Sequence, residues 1–140
     1  MNPSVKFTVC LYSDPNFLAI NILENLLSRD CLVKVITKNV NDWHNKTFHL
    51  STNNRFEIVD KKFINLNDIY EYAIFCGGFI DKKSAYSDYK EFKIVSMRDA
   101  IKTLVIFPFE VYDRNEMDRV NISGNSAVLL IGDLLGPRIN

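Results

Sequence analysis

The stretch CLYSDPNFLAINILENLL, Cys10–Leu27, changes its hydrophobic rhythm partway along. Its first residues close a β-rich run, Val5–Tyr12 (VKFTVCLY). Its later ones place Leu18, Ile22 and Leu26 at four-residue steps, with Leu23 and Leu27 beside them, which predicts a helix over Phe17–Ser28. The turn between contains no glycine. Asp14 followed by Pro15 reads as a helix start: a carboxylate cap that complements the positive end of the helix dipole, then proline at the first helical position.

The same alternation continues outward. Leu32–Thr37 (LVKVIT) and Phe56–Val59 read as strands, and Ala73–Cys76 (AIFC) as a strand ending at Gly77 and Gly78. Thr103–Phe107 and Ala127–Ile131 are nearly all apolar, as central strands buried on both faces are. Leu66–Tyr72, capped by Asn65, and Tyr86–Ile101 are expected helices. Trp43–Arg55 is polar and irregular and reads as a loop or a short edge hairpin. Strands alternating with helices predict an α/β fold, a doubly wound, mainly parallel sheet in three αβα layers. In such sheets ligands bind beyond the carboxyl ends of the strands. The residues that matter are then Ser13–Phe17, Thr37–Asn39, Cys76–Phe79, Pro108–Asp113 and Gly132–Arg138.

Composition narrows the function classes. The 140 residues suit a single domain over 1–140, and 47% are hydrophobic, enough for a core. Seventeen basic residues balance seventeen acidic ones, so there is no electrostatic footprint for nucleic acid or for a membrane surface. No apolar run approaches the roughly 20 residues that span a bilayer. The N-terminus reads as a first strand and not as a signal peptide. Cys10, Cys31 and Cys76 lie in apolar contexts without CxxC spacing, which predicts reduced, buried thiols and a cytoplasmic setting. His44 and His49 have no acidic or cysteine cluster at ligand spacing, so no metal site is expected.

Several strand ends, in order, resemble the extended branch of the short-chain dehydrogenase/reductase superfamily, the NAD-dependent nucleotide-sugar epimerases and dehydratases. Phe17 and Leu18 with NILENLLSRDCLVKVIT are similar to its first helix and second strand. YAIFCGG, Tyr72–Gly78, resembles the fourth strand, and LVIFPFEVYD, Leu104–Asp113, the fifth with its Val-Tyr-Gly ending. VLLIGDLLGPR, Val128–Arg138, resembles the sixth strand and the Gly-Pro that leads toward a substrate domain. The resemblance implies a Rossmann-like NAD(P)-binding-type domain lacking that C-terminal domain. It also implies that NAD or NADP, if held, meets Ser13, Asn16, Phe17, Thr37, Lys38, Gly77 and Gly78.

The departures fall on the residues of the site. The family's three turn glycines correspond to Ser13, Asn16 and Ala19, of which only Ala19 is small enough to keep its packing role. Asn16 tolerates a left-handed backbone, but its side chain occupies space near the phosphates. Pro15 removes an N–H that a phosphate would use, and the Asp14 carboxylate would repel a second anion. Thr37 and Lys38 replace the ribose-binding acid. They would suit the extra phosphate of NADP, although a solvated lysine is the plainer reading of Lys38. The family's catalytic hydroxyl residue corresponds to Pro108, and its Tyr-x-x-x-Lys pair has no tyrosine in Arg114–Ser126. Tyr86 and Lys90 have that spacing but precede the fifth strand, so they belong to a different helix. Glu110 alone falls where some dehydratases carry a catalytic acid. Asp133 lies near the family's polar position after the sixth strand, and Gly136 and Pro137 shape a loop.

Taken together these features predict a degenerate, non-catalytic relative that acts as an interaction or assembly module. The expected partner is a second copy or another protein. The shortened segment before the sixth strand would leave Val105 or Leu129 exposed for that contact. Two other readings are a cofactor-binding domain of an epimerase or dehydratase relative whose remainder is missing or supplied by another chain, and a small-ligand binder that reuses the strand-end crevice for something other than a dinucleotide.

Overall fold

The computed structural model describes residues 7–63, 70–93, 102–113, 115 and 126–131. Six strands form one sheet: β1 (Thr8–Ser13), β2 (Leu32–Thr37), β3 (Phe56–Asp60), β4 (Tyr72–Cys76), β5 (Lys102–Pro108) and β6 (Ser126–Ile131). Among the described residues three α-helices accompany them: α1 (Phe17–Ser28), α2 (Val40–Lys46) and α3 (Ala85–Phe92). The strand order is β3-β2-β1-β4-β5-β6 and every pairing is parallel. This is the Rossmann-like, doubly wound order, in which the winding reverses between β1 and β4.

Each strand shows opposite faces to two cores. Val9, Leu11, Val33 and Val35 pack against Ala19, Leu23 and Leu27 of α1 and Trp43 of α2. Cys10, Tyr12, Phe75, Val105 and Phe107 point the other way, onto Ala85, Tyr89 and Phe92 of α3. The layers are therefore αβα. The period-2 alternation of the strands feeds both cores, as expected of a parallel sheet covered on two sides.

The expected bounds of α1 and β2 match the structure, and β3 and β5 differ only at their ends. Four readings need correction. Ala127–Ile131 is not a central strand buried on both faces: β6 ends the strand order, pairs with β5 alone among the described residues, and leaves Ala127 and Leu129 exposed. Trp43–Arg55 is neither a loop nor a hairpin at its start: Trp43 lies in α2, fully buried, and its indole N–H donates to the Ser13 carbonyl at 2.9 Å. Tyr72 belongs to β4 and not to a preceding helix, and Tyr70 and Glu71 before it are not helical; the start of that expected helix, 66–69, and its cap Asn65 lie outside the described residues. Val105 is not exposed, because α3 covers its face, whereas Leu129 is 45% exposed. The expected features at 1–6, 94–101, 116–125 and 132–140, Asp133, Gly136 and Pro137 among them, also lie outside the described residues. No helix among the described residues is long and apolar enough to cross a membrane.

Candidate functional site

The strand ends converge where the winding reverses. β1 ends at Ser13, β2 at Thr37, β4 at Cys76 and β5 at Pro108. Register sets Ser13 beside Cys76, and the buried Ser13 hydroxyl donates to the Cys76 carbonyl at 2.6 Å. The β1–β4 opening, where a parallel α/β sheet takes its ligand, is thus sewn together by the chain itself.

The α1 cap differs from the expected one. Asn16, not Asp14, is the N-cap: its Oδ1 accepts from the Ala19 backbone N–H at 2.8 Å, in extended backbone with φ −84°. Pro15 therefore precedes the cap instead of opening the helix. Asn16 is only 6% exposed, and its amide nitrogen donates toward Ser13 Oγ at 3.3 Å. Asp14 turns away from the helix, and its Oδ1 accepts from Asn39 Nδ2 at 2.8 Å. Burial raises the Asp14 pKa above its ordinary value, against the opposing pull of Lys38 and Asn39. Phe17 is 59% exposed.

At the end of β2, the buried Thr37 hydroxyl accepts from the Asn39 N–H at 3.0 Å. Lys38 is not the simply solvated residue its position suggested. Its ammonium donates to Ser84 Oγ at 3.0 Å and to Asp88 Oδ2 at 3.2 Å, and lies 3.7 Å from Asp81. Burial alone would lower the Lys38 pKa, but Asp88, Asp14 and Asp81 outweigh it and hold the pKa above the usual lysine value. A second polar tie, which sequence reasoning missed, joins β1 to α3: the Tyr12 hydroxyl donates to Glu91 Oε2 at 2.7 Å, and Lys61 donates to the same oxygen at 2.9 Å. Burial, then the Glu91 hydrogen bond and charge, push the Tyr12 phenol far above its ordinary pKa.

The two glycines after β4 serve packing. A Cβ at Gly77 would run into the Phe75 ring. Gly78 has φ +86°, and a Cβ there would sit 3.2 Å from both Ala85 and Pro108. Glu110 is exposed in a short turn after β5 and pairs with Lys82. Tyr86 and Lys90 lie on α3, and the Tyr86 hydroxyl donates to the Val111 carbonyl at 3.2 Å.

The crevice bounded by Tyr12, Ser13, Lys38, Cys76, Gly77 and Asp88 has a volume of about 10 Å³, room for one water. Ordinary small-molecule sites run to about 300–1,000 Å³. A larger cleft of about 670 Å³ lies at the amino ends of the strands, beside Val9, Cys31 and Leu104, away from the converging polar groups. The residues that a Rossmann-like fold would turn toward a dinucleotide do not fit one: the α1 cap, the Lys38 charge and the space itself are already taken. Burial pushes the Cys76 thiol up to about 12 despite hydrogen bonds from Asn16 and Ser13, so it stays protonated near neutrality. Among the described residues no cluster of metal-ligating groups occurs. Comparison of the chain with protein families, with curated proteins and with solved structures finds no match.

Proposed function

We propose that this chain is a degenerate, non-catalytic relative of the NAD-dependent nucleotide-sugar epimerases and dehydratases, which uses a Rossmann-like scaffold as an interaction or assembly module. The observation that carries this reading is the buried Asn16 carboxamide, which satisfies the start of α1 in the place where a pyrophosphate would sit. The filled crevice and the absence of a hydroxyl at Pro108 agree with it. A cytoplasmic setting is part of the proposal, supported by three buried cysteines in the thiol form.

Thermal unfolding in the presence of NAD, NADP and nucleotide-sugars tests the reading. A specific ligand at 100 times its Kd stabilises a fold by about 2.7 kcal/mol. No shift is expected with any of them. A clear shift with NAD or NADP would overturn the proposal in favour of a cofactor-binding domain separated from its remaining parts. A shift with a nucleotide-sugar alone would point to a reused crevice.

A further inference from the structure

Burial fades across one row of the sheet. Register aligns Leu11, Ile74, Leu104 and Ala127 on the face that carries α1. Leu11 is fully buried, Ile74 and Leu104 are half-buried, and Ala127 is exposed. On the opposite face the neighbouring Ala73, Phe75 and Val105 are all buried in the α3-side core. α1 thus shelters β1 and leaves the amino half of β4, β5 and β6 open on its own face. The cleft of about 670 Å³ lies there, with Ile74 and Leu104 in its floor and Leu26 of α1 in its wall. Its volume falls within the range of ordinary small-molecule sites.

Three charged residues line the same cleft: Arg29, Asp30 and Lys102. The Asp30 carboxylate is held by the Arg55 guanidinium at 2.6 Å. Arg29 and Lys102 are exposed, and neither side chain has an ion-pair partner among the described residues. Lys102 stands two residues before Leu104, on the same face of β5. Arg29 caps the carboxyl end of α1, where its N–H and that of Cys31 both donate to the Leu26 carbonyl, and that of Asp30 to the Leu27 carbonyl. The turn thus satisfies carbonyls at the negative end of the helix dipole, and the cleft keeps a surplus of positive charge.

We infer that this cleft binds a single aliphatic chain ending in an anionic head, a fatty-acid-like carboxylate, with the chain over Ile74 and Leu104 and the head held by Arg29 and Lys102. Charge complementarity selects the head. The floor selects an aliphatic tail over a peptide. β4 and β5 are paired on both sides, so a peptide cannot add to them as a strand, and its amides would be desolvated against apolar side chains. An aliphatic chain carries no such penalty and gains with each methylene buried. The cleft and the strand-end crevice lie at opposite ends of the strands, so the inference stands apart from the interaction-module reading.

The test is isothermal titration calorimetry of the whole chain with decanoate and with decyltrimethylammonium, which has the same tail and the opposite charge, both below their micelle concentrations. Decanoate is expected to bind once per chain, about tenfold or more tighter than the cation. Two variants locate it. Arg29→Gln with Lys102→Gln removes both free charges at exposed positions and is expected to weaken decanoate binding about tenfold. Ala127→Trp, at an exposed position of β6, fills the cleft from outside and is expected to abolish binding. If Ala127→Trp does not fold, the glutamine double variant decides alone. No binding of decanoate at about 1 mM overturns the inference. Equal binding of the two amphiphiles overturns it as well, and so does binding that either folded variant leaves unchanged. Sedimentation covers the remaining occupant: a dimer that Ala127→Trp dissociates and decanoate does not would give the cleft to a second copy and overturn the inference.

Discussion

Asn16 shows how one side chain changes the chemistry of a helix start. Three consecutive residues, Asp14, Pro15 and Asn16, all have N-terminal character, and sequence alone favours the charged one. The structure uses the neutral one because Asn39, far along the chain, captures the Asp14 carboxylate. That preference was illegible in the sequence, since it is decided by a contact across 25 residues. Replacing Asn16 by alanine is expected to cost about 1 kcal/mol of stability, the usual value of a lost cap, read as a lower urea midpoint. Asp14→Asn should cost nothing at neutral pH. Burial raises the folded-state pKa of Asp14 above 3.8, so its favourable contribution is present below that ordinary value and lost as pH rises through the folded value. Asparagine removes the buried charge and still offers Asn39 an acceptor. A lower midpoint for Asp14→Asn at pH 7 would show that the carboxylate itself is needed.

Among the elements, α3 joins the two halves of the sheet most directly. Its residues sort into stripes at helical spacing: Ala85, Tyr89 and Phe92 enter the aromatic core with Phe75 and Phe107, while Asp88 and Glu91, with Ser84 just before the helix, face the ends of β1, β2 and β3. Glu91 is held on the acid side by this geometry. Burial alone would raise its pKa, but the Tyr12 hydrogen bond and Lys61 prevail and bring it below the ordinary 4.5. A depressed carboxylate contributes stability above its unfolded pKa, and loses it as pH falls through the folded value. Glu91→Gln is therefore expected to lower the urea midpoint near neutrality, with the gap to the natural chain closing as pH falls below 4.5. A gap that stays constant across that range would remove Glu91 ionisation from the account. The elements also show what a sequence makes plain. α1 was legible because five aliphatic residues repeat along one face. α2, VNDWHNK, was not, because a single apolar residue, Trp43, anchors it and one residue has no period.

At the scale of the molecule, the alternation of strands with helices was enough to foresee the layered parallel sheet. The closure of its ligand end was not, because the ties responsible, Lys38 to Asp88 and Tyr12 to Glu91, link residues 50 and 79 apart. The two edges of the sheet also differ. β3 carries Glu57 and Asp60, the kind of charge that discourages strand addition, whereas β6, SAVLLI, carries none and exposes Leu129. Self-association, part of the proposed function, is accordingly expected to weaken in Leu129→Lys. Sedimentation velocity over a concentration series is the measurement, and a natural chain that stays monomeric throughout would refute it.

The strand order carries a consequence for how the chain is made. Val9 pairs with Val33 on one side of β1 and with Tyr72 on the other. As the polypeptide leaves the ribosome, β1, β2 and β3 are available to zip together first, and the second flank of β1, TVCLYS, stays bare until β4 has been synthesised. That flank has neither charge nor proline to protect it. The nascent half-sheet is thus the stage at which a chaperone, or another unfinished copy, competes with the rest of the same chain for the central seam.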